Sequence, residues 1–493
     1  MGTSWRHRAL VPVLVYLGVV VSVVSSLGAP LIPTIAARYG VSLADAQWSL
    51  TITMLVGAVA APTMGRLGDG PRRRAVVLGA LAAVCAGSAL AALPLGFGPL
   101  VAGRALQGIG LGLTPLAMAA ARDALPPERS RPAVALLSIT TVAGVGLGYP
   151  LTGLIAQHLG LHAAFWFGAV VSAAALGVAA LVVPATADRP PRRLDVTGAV
   201  LLGGALAGLL LALSEAEVWS WTSVRLIAVL ACSVGLLALW VAHERRTPHP
   251  LVDLRLLGHR AVLTADVTAV LAGTGMYLLL SLVTRFVQTP PAAGYGFGTS
   301  VAVAGLVLLP FSVASVAASK VAPVVARRAS PALVLPVGSA MFALAMLTFL
   351  LARGSLWQVV ATMTVAGLGV GCTFAAMPGM IVRSVPAEET GSAMSFNQVL
   401  RYVGYSTGSA LSATVLAAHT PAGAVLPTGS GYTAAAVLGC AVWAVTVVVG
   451  LVLPRRRAGV REPGTDEEAL LVEQSLADGL PGDGEPVPAP VRR

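Results

Sequence analysis

Long apolar runs of helical length recur along the chain as far as residue 453. An α-helix rises ~1.5 Å per residue, so about 20 residues are needed to cross the ~30 Å hydrocarbon core of a bilayer. The runs are continuous rather than alternating, which favours helices over the strands of a membrane barrel. Fourteen runs bounded by charged residues, Pro or Gly are predicted to be spans: 9–32, 46–64, 75–95, 100–121, 133–156, 163–183, 197–213, 226–242, 261–283, 301–318, 332–351, 357–377, 395–418 and 433–453. The pattern predicts an all-α polytopic membrane protein.

Composition excludes an aqueous globular protein. Charged residues make up 11% of the 493 residues and hydrophobic residues 56%, whereas soluble proteins carry about 25% charged residues. A signal peptide is a poor interpretation of the first run, which lacks an A-x-A-like cleavage site and leads into further spans. The four Cys lie far apart and the seven His lack metal-ligand spacing. We therefore expect no disulfide framework, no metal and no cofactor.

The placement of the basic residues explains the net charge of +11. Such a charge can indicate nucleic-acid binding, but here the Arg residues cluster in alternate loops, the pattern of cytoplasmic loops in membrane proteins. Both termini are then predicted to be cytoplasmic, in a bacterial plasma (inner) membrane, and no nucleic-acid partner is expected. Residues 454–493 are rich in Pro, Gly and acids and are predicted to form a disordered tail.

An internal repeat divides the spans into two sets. Two segments of similar sequence begin with glycine triplets that align with each other: Gly108, Gly110 and Gly112 with Gly367, Gly369 and Gly371. A dinucleotide-binding loop would need G-x-G-x-x-G between a strand and a helix, so close helix packing is favoured. The repeat predicts six-helix bundles at 1–184 and 261–453, with an inserted helix pair and linkers at 185–260. Repeated halves around a midplane cavity are typical of secondary transporters.

A motif in the loop after the second span resembles the signature loop of the major facilitator superfamily, G-x-L-x-D-x-x-G-R-R. The sequence from residue 65 reads GRLGDGPRRRAVVL, in which an Arg replaces the second Gly of the motif. The matching positions are Gly65, Leu67, Asp69, Arg73 and Arg74. The resemblance implies a gate in which Asp69 and Arg73 join Asp123, the acid at the end of span 4. The simpler interpretation is that the arginines only hold the loop in the cytoplasm.

Two further motifs resemble those of drug exporters in this family. Arg104 and Gln107 match the R-x-x-Q-G pattern of span 4. Span 5 is similar to G-x-x-x-G-P-x-x-G-G, with the Pro one place late, at the following positions: Gly144, Gly148, Tyr149, Pro150 and Gly153. Together with the fourteen spans, these motifs make the chain resemble the 14-spanner drug:proton antiporters. The Asp that these antiporters carry in span 1 is replaced by Val24, so the customary proton site is missing.

Three charged residues fall within the predicted spans: Arg104, Asp266 and Arg401. A charge near the middle of a span costs roughly 2.5–3.5 kcal/mol, which indicates a water-lined cavity or a paired group. The resemblance gives Arg104 a part in proton coupling or cavity electrostatics; bonding to carbonyl groups of a neighbouring helix is the alternative. Asp266 is a candidate proton carrier or an interfacial acid. Asn397 and Gln398 lie close to the helix face of Arg401, and this face is expected to line the cavity.

The function expected from these features is export of small amphipathic organic compounds by alternating access, in exchange for protons. The expected partners are a small-molecule substrate, protons and the bilayer, and the protein is predicted to be a monomer. A dedicated exporter of one metabolite, an importer and a non-transporting membrane sensor are alternatives. A membrane enzyme is disfavoured because no cluster of acids, His or metal ligands stands out.

Overall fold

The computed structural model describes residues 3–453 except 28–30, 42, 185–193, 221, 249, 387–388, 422–423 and 425. These residues form α-helices joined by turns, loops and short 3-10 segments. The helices are α1 (Thr3–Ser26), α2 (Ile32–Tyr39), α3 (Leu43–Gly68), α4 (Arg73–Ala92), α5 (Phe97–Ile109), α6 (Leu113–Ala124), α7 (Pro127–Leu159), α8 (Leu161–Val182), α9 (Val196–Trp219), α10 (Val224–Glu244), α11 (Arg260–Gln288), α12 (Val301–Arg328), α13 (Val334–Leu351), α14 (Leu356–Ser384), α15 (Thr390–Ala418) and α16 (Gly429–Val452). The predicted tail at 454–493 lies outside the described residues.

Eleven helices among the described residues are long and apolar enough to cross a membrane. They are α1, α3, α4, α8 to α14 and α16. The other three predicted spans fall on α5–α6, α7 and α15, which carry much of the glycine and buried polar content of the chain. The described chain is thus an all-helical membrane protein.

The first helix ends earlier than expected. The sequence predicts one helix over 9–32, whereas α1 ends at Ser26 and a separate helix, α2, begins at Ile32. Gly28 and Pro30 lie in the intervening sequence and are poor helix formers. Helix α2 packs against α3.

The fourth predicted span is interrupted. A 3-10 turn at Gly110–Gly112 separates α5 from α6. Pro115 has no N–H to donate to the carbonyl group of Leu111, so the α-helical hydrogen-bond ladder cannot continue through this turn. The break leaves a carbonyl oxygen available in the interior of the molecule.

The same helix pairings occur in α1–α8, called here the first half, and in α11–α16, the second half. Helix α4 packs on α8 as α13 packs on α16, and α1 packs on α7 as α11 packs on α15. Between the halves, α7 contacts α12 and α3 contacts α15. Helix α9 contacts α3 and α15, one helix of each half, and α10 packs on α9.

The glycine triplets lie at equivalent helix contacts in the two halves. A Cβ atom on Gly108 would meet the backbone of Thr53 in α3, and one on Gly367 would meet the backbone of Phe311 in α12. Both glycines therefore permit two helix backbones to approach closely.

Candidate functional site

Asp69 lies at the end of the molecule where the Arg-rich loop joins α3 to α4, called here the basic end. Its carboxylate accepts hydrogen bonds from the backbone N–H groups of Gly391 (2.8 Å) and Ser392 (2.9 Å) and from the Ser392 hydroxyl (3.0 Å). These amides belong to the first turn of α15, whose N-cap residue, Glu389, makes no side-chain cap. A carboxylate at this position also interacts favourably with the helix dipole. A residue of the first half thus caps a helix of the second half.

Burial changes the acidity of this carboxyl group. Asp69 is only 1% exposed. Burial raises the pKa of Asp69 from 3.8 to about 6, although the hydrogen bonds from Ser392 and Gly391 and the charge of Arg73 act in the opposite direction. While the basic end is closed, Asp69 therefore takes up a proton more readily than an aspartate in water.

Arg73 holds the loop against the end of α6. Its Nε donates to the carbonyl oxygen of Gly68 (2.7 Å), and its Nη1 donates to the carboxylate of Asp123. The expected grouping of Asp69, Arg73 and Asp123 is therefore present at the basic end. Arg74 points elsewhere and donates to the carbonyl oxygen of Ala180 on α8 (2.7 Å).

Two arginines that sequence reasoning assigned to topology alone link the halves directly. Arg66 forms an ion pair of 2.8 Å with Glu389. Arg122 donates to the carbonyl oxygen of Val385 (3.0 Å) and to the hydroxyl of Thr390. The contacts of Arg66, Asp69 and Arg122 with the second half are called here the basic-end network.

Gly65 is the point at which α3 crosses α15. A Cβ atom here would meet the Ser395 side chain and the carbonyl oxygen of Gly391. A Cβ atom on Gly391 would in turn meet the carboxylate of Asp69. The glycine of the loop motif and a glycine that sequence reasoning did not identify together allow the close approach that the Asp69 contacts require.

Arg104 is fully buried and bonded to carbonyl groups, the alternative left open by the sequence. Its guanidinium donates to the carbonyl oxygens of Ser49 (2.8 Å), Val24 (3.1 Å) and Ser25 (2.8 Å), and to the side-chain oxygen of Gln107. Val24 and Ser25 lie in the last turn of α1, where carbonyl groups lack their α-helical N–H partners, although the Val24 oxygen also accepts a bond from the N–H of Leu27 (3.3 Å). A cation is also favourable at a helix C-terminus. Arg104 therefore ties the end of α1 to α3 and α5.

A second buried polar group joins α11, α15 and α7. The amide of Asn397 donates to the Asp266 carboxylate (2.9 Å) and to the carbonyl oxygen of Ala265 (3.1 Å). Asp266 is 4% exposed, so its carboxylate is buried inside the protein. Arg401 donates to the Ser138 hydroxyl in the first half (2.9 Å). Gln398 is also buried, and its amide nitrogen has no hydrogen-bond partner.

A small cavity lies between the halves, lined by α1, α3, α7, α11 and α15 together with the turn between α5 and α6. Its volume is about 40 Å³, enough for a few water molecules at most. Four tyrosines form much of its wall: Tyr149, Tyr277, Tyr402 and Tyr405. Of these four, Tyr149 was predicted as a site residue and the other three were not. An uncharged aromatic residue in an apolar span carries no signal of function in the sequence.

The span 5 motif brings α7 against the cavity face of α1. A Cβ atom on Gly144 would meet the Ser22 side chain, and one on Gly148 would meet the Ser26 hydroxyl. Both serines line the cavity. These glycines therefore determine the distance between α1 and α7 at the cavity wall.

The remaining residues of the motif face the second half. The backbone of Pro150 lies 3.3 Å from the position of a Cβ atom on Gly305 of α12, and Gly153 faces Ala302 of the same helix. Helix α7 continues past Pro150 to Leu159. Gly305 was not identified from the sequence, where it is one of many glycines within spans.

The interrupted span 4 supplies a polar contact at the cavity wall. The hydroxyl of Tyr402 in the second half donates to the carbonyl oxygen of Leu111 in the first half (3.4 Å). This is the carbonyl group that Pro115 leaves without its helical partner. The bond joins the halves beside the cavity.

A wider cleft of about 370 Å³ lies beside the loop that follows α10. Its lining includes Glu244 and Arg255 and comes from the inserted segment rather than from the space between the halves. We therefore place the candidate transport site at the smaller, tyrosine-lined cavity. Within the described ranges, no group of His, Cys, Asp or Glu could hold a metal ion.

The chain is similar in sequence to a known protein family and to named members of it. The sequence profile of the Major Facilitator Superfamily matches residues 14–408 and 267–479. The chain is 30% identical over 402 residues to the tetracenomycin C resistance and export protein of Streptomyces glaucescens, covering 78% of this chain and 72% of that protein. It is 27% identical over 397 residues to the multidrug resistance protein Stp of Mycobacterium tuberculosis, with 78% and 72% covered.

Two solved structures share the fold. The human organic anion transporter MFSD10 (TETRAN) superposes with a TM-score of 0.64 at 18% identity, covering 90% of this chain and 99% of that one. A POT family transporter superposes with a TM-score of 0.59 at 15% identity, covering 89% and 95%. At these identities the likeness concerns the fold alone.

Proposed function

We propose, from the premise that the chain belongs to the major facilitator superfamily and to its multidrug efflux type, that it exports small amphipathic organic compounds by alternating access, in exchange for protons. The chain is a membrane transporter and not an enzyme. The names of the relatives support drugs or secondary metabolites as substrates. We further propose a monomer with fourteen spans in the bacterial plasma membrane, with the basic end and both termini in the cytoplasm.

The observation that carries the proposal is the basic-end network. Asp69 caps α15 and Arg66 pairs with Glu389 only while the two halves meet at this end. Contacts that exist in one conformation alone stabilise that conformation against its alternatives. The structure is then the state closed to the cytoplasm, and rocking of the two six-helix bundles would break the network and open the cavity on that side.

Asp266 is the proposed proton carrier. It is a buried acid within a predicted span, Asn397 holds its carboxylate, and Val24 occupies the place of the customary acid in span 1. Arg104 has a different proposed role: its bonds to Val24 and Ser25 support the wall of the cavity, so that it acts through α1.

The test is transport by the purified protein in liposomes with an imposed pH gradient. We expect Asp266→Asn to abolish pH-driven accumulation of a transported drug while substrate exchange without a gradient continues, because the amide cannot carry the proton. Glu128→Gln, at an exposed site on α7, is the matched control and should behave as the wild type.

Each outcome of this experiment bears on a different part of the proposal. Wild-type protein that moves no member of a broad panel of drugs and metabolites would exclude export. Retained coupling in Asp266→Asn would exclude Asp266 as the carrier and direct attention to Asp69, whose pKa is raised by burial.

A dedicated exporter of one metabolite is the second candidate. The cavity wall carries four tyrosines and three serines, and hydrogen-bonding groups at fixed positions favour recognition of one compound over a broad range. Uptake by vesicles of known orientation, measured over a panel of compounds, separates the two candidates and also identifies an importer.

A further inference from the structure

The cavity has an aromatic wall built by α11 and α15. The rings of Tyr277 and Tyr405 are stacked, with centroids 4.5 Å apart and planes inclined by 23°. Tyr402 meets Tyr405 edge-on at 5.9 Å. Aromatic rings attract other rings in stacked or edge-on arrangements, so this wall matches a planar aromatic compound.

Two hydroxyl groups of the cavity lack a hydrogen-bond partner. Ser25 and Tyr405 are each 4% exposed, and both hydroxyl oxygens are unpartnered. Neighbouring hydroxyls are satisfied: Ser26 donates to the carbonyl oxygen of Val23 (2.8 Å), and Tyr402 donates to that of Leu111. A buried hydroxyl without a partner is unfavourable. A ligand with its own donor or acceptor groups would relieve this cost at both positions.

Among the described residues, no charged side chain lines the cavity, and two arginines lie behind its walls. Arg104 donates to the backbone carbonyl of Ser25, and Arg401 precedes Tyr402 and lies one helical turn from Tyr405. Asp266 lies about three turns from Tyr277 along α11, on the side of the basic end. An organic cation would meet buried positive charge here without an acid beside it, whereas a neutral or anionic compound would not be penalised.

We propose that the cavity binds a planar aromatic compound that is neutral or weakly acidic and carries hydroxyl groups, and that Ser25 and Tyr405 select it by hydrogen bonding to those hydroxyl groups. The inference rests on the proposed function, because it takes this cavity as the substrate path. The closed cavity is smaller than such a compound, so binding follows separation of the halves.

Three probes of similar ring size test the selectivity in reconstituted liposomes. They are 1,8-dihydroxyanthraquinone, anthraquinone without the hydroxyl groups, and the aromatic cation ethidium. We expect the lowest half-saturating concentration for the dihydroxy compound, a higher one for anthraquinone and the highest for ethidium.

Variants then test the two hydroxyl groups. Tyr405→Phe and Ser25→Ala should each raise the half-saturating concentration for the dihydroxy compound by about 3- to 10-fold, the effect of one hydrogen bond, and change that for anthraquinone less. Tyr39→Phe is the matched control, because this tyrosine also has an unpartnered buried hydroxyl but lies on α2, away from the cavity. It should leave all three values unchanged.

The outcomes separate the inference from the proposed function. Ethidium transported as well as the dihydroxy compound would overturn the inference, and so would equal effects of Tyr405→Phe on both quinones. If the wild type moves other drugs but none of these probes, the inference fails and the proposed export stands. If no compound of any class moves, the proposed function itself fails.

Discussion

In the proposed alternating-access mechanism, Asp69 connects proton binding to the conformation of the protein. Burial in the basic-end network raises the pKa of its carboxyl group from 3.8 to about 6, and exposure to water in the open conformation would bring the pKa back toward 3.8. The closed conformation therefore binds a proton more tightly than the open one, and linkage requires that acidification favour closure. The effect should develop as the pH falls through about 6.

Distances between spin labels at Arg72 and Arg383, both exposed at the basic end, can measure this equilibrium. We expect the population with the short distance to grow between about pH 7 and about pH 5. In Asp69→Asn, whose side chain does not titrate, the change over this range should be smaller than in the wild type, and what remains should come from other acids such as Asp266. A wild-type distribution that ignores pH, or a variant that responds as fully as the wild type, would contradict the assignment.

Arg104 is predicted to contribute to stability through its geometry as well as its charge. Arg104→Lys keeps the charge but replaces the planar guanidinium with a compact ammonium group, which cannot reach all four acceptors at once. Unsatisfied carbonyl groups at the end of α1 should lower the free energy of unfolding by about 2–3 kcal/mol. Thermal unfolding in detergent measures the loss.

Arg225→Lys provides the control for this substitution. Arg225 is exposed and stacks on Trp219, and its replacement should have little effect. Equal melting temperatures for Arg104→Lys and the wild type would refute the capping role of Arg104.

For single residues, the sequence identified more of the charged side chains of the site than of the groups to which they are hydrogen-bonded. The loop motif indicated Asp69 and Arg73, and the family resemblance added Asp123; the structure brings all three to one end of the molecule. The partners of Arg104 are mainly backbone carbonyl groups. Every residue has such a group, so the sequence does not show which of them will accept a hydrogen bond from the guanidinium. Tyr405 was missed for a related reason: its role comes from an unpaired hydroxyl, which depends on the packing of other helices.

Helices α1 and α7 are held at a short distance by two glycines, and this contact can be tested by overpacking it. Gly148→Ala places a methyl group on the Ser26 hydroxyl and should destabilise the protein by about 1–3 kcal/mol while reducing transport. Adding Ser26→Ala removes the clashing hydroxyl and should restore part of both quantities.

Gly177→Ala on α8 serves as the matched control. No atom lies within 4 Å of a Cβ placed there, so the change should be neutral or slightly stabilising through higher helix propensity. Failure of the Ser26 substitution to improve on Gly148→Ala would show that the clash arises elsewhere.

The sequence predicted helices more reliably than their interruptions. Continuous apolar runs mark every predicted span, because crossing a bilayer requires length and hydropathy that a single sequence displays. The end of α1 at Ser26 and the turn at Gly110–Gly112 depend on local competition between hydrophobicity and Gly or Pro. A count of apolar residues does not resolve that competition.

The halves of the whole molecule are joined across the basic end by an ion pair that can be reversed. Arg66→Glu places two acids together, which should weaken the closed conformation and reduce transport. The double variant Arg66→Glu, Glu389→Arg restores opposite charges and should recover much of the activity. A double-mutant cycle on the open–closed equilibrium should give a coupling of about 1–3 kcal/mol.

The single variants Arg66→Glu and Glu389→Arg complete the cycle, and transport with proteoliposomes provides the second readout. If the double variant is no better than the worse single variant, the ion pair does not govern the conformational equilibrium. Arg245→Glu, at an exposed site after α10, controls for a general effect of charge reversal.

The internal repeat predicted two similar sets of helices, and the described helices pair in the same way in both halves. It did not predict which residues would meet across the halves. The contacts of Arg66 and Arg122 break the symmetry of the repeat, since they link the end of the first half to α15. A single sequence does not show which distant positions vary together among relatives. The partners of Arg66 and Arg122 can therefore be identified only from the folded structure.

The dependence of α15 on Asp69 has a consequence for its own first turn. The amide N–H groups of Gly391 and Ser392 donate to a carboxylate that, in the proposed mechanism, moves away when the two halves separate at that end. Slow exchange of these two hydrogens with deuterium would then report closure of the basic end, and faster exchange its opening, in the unmodified protein.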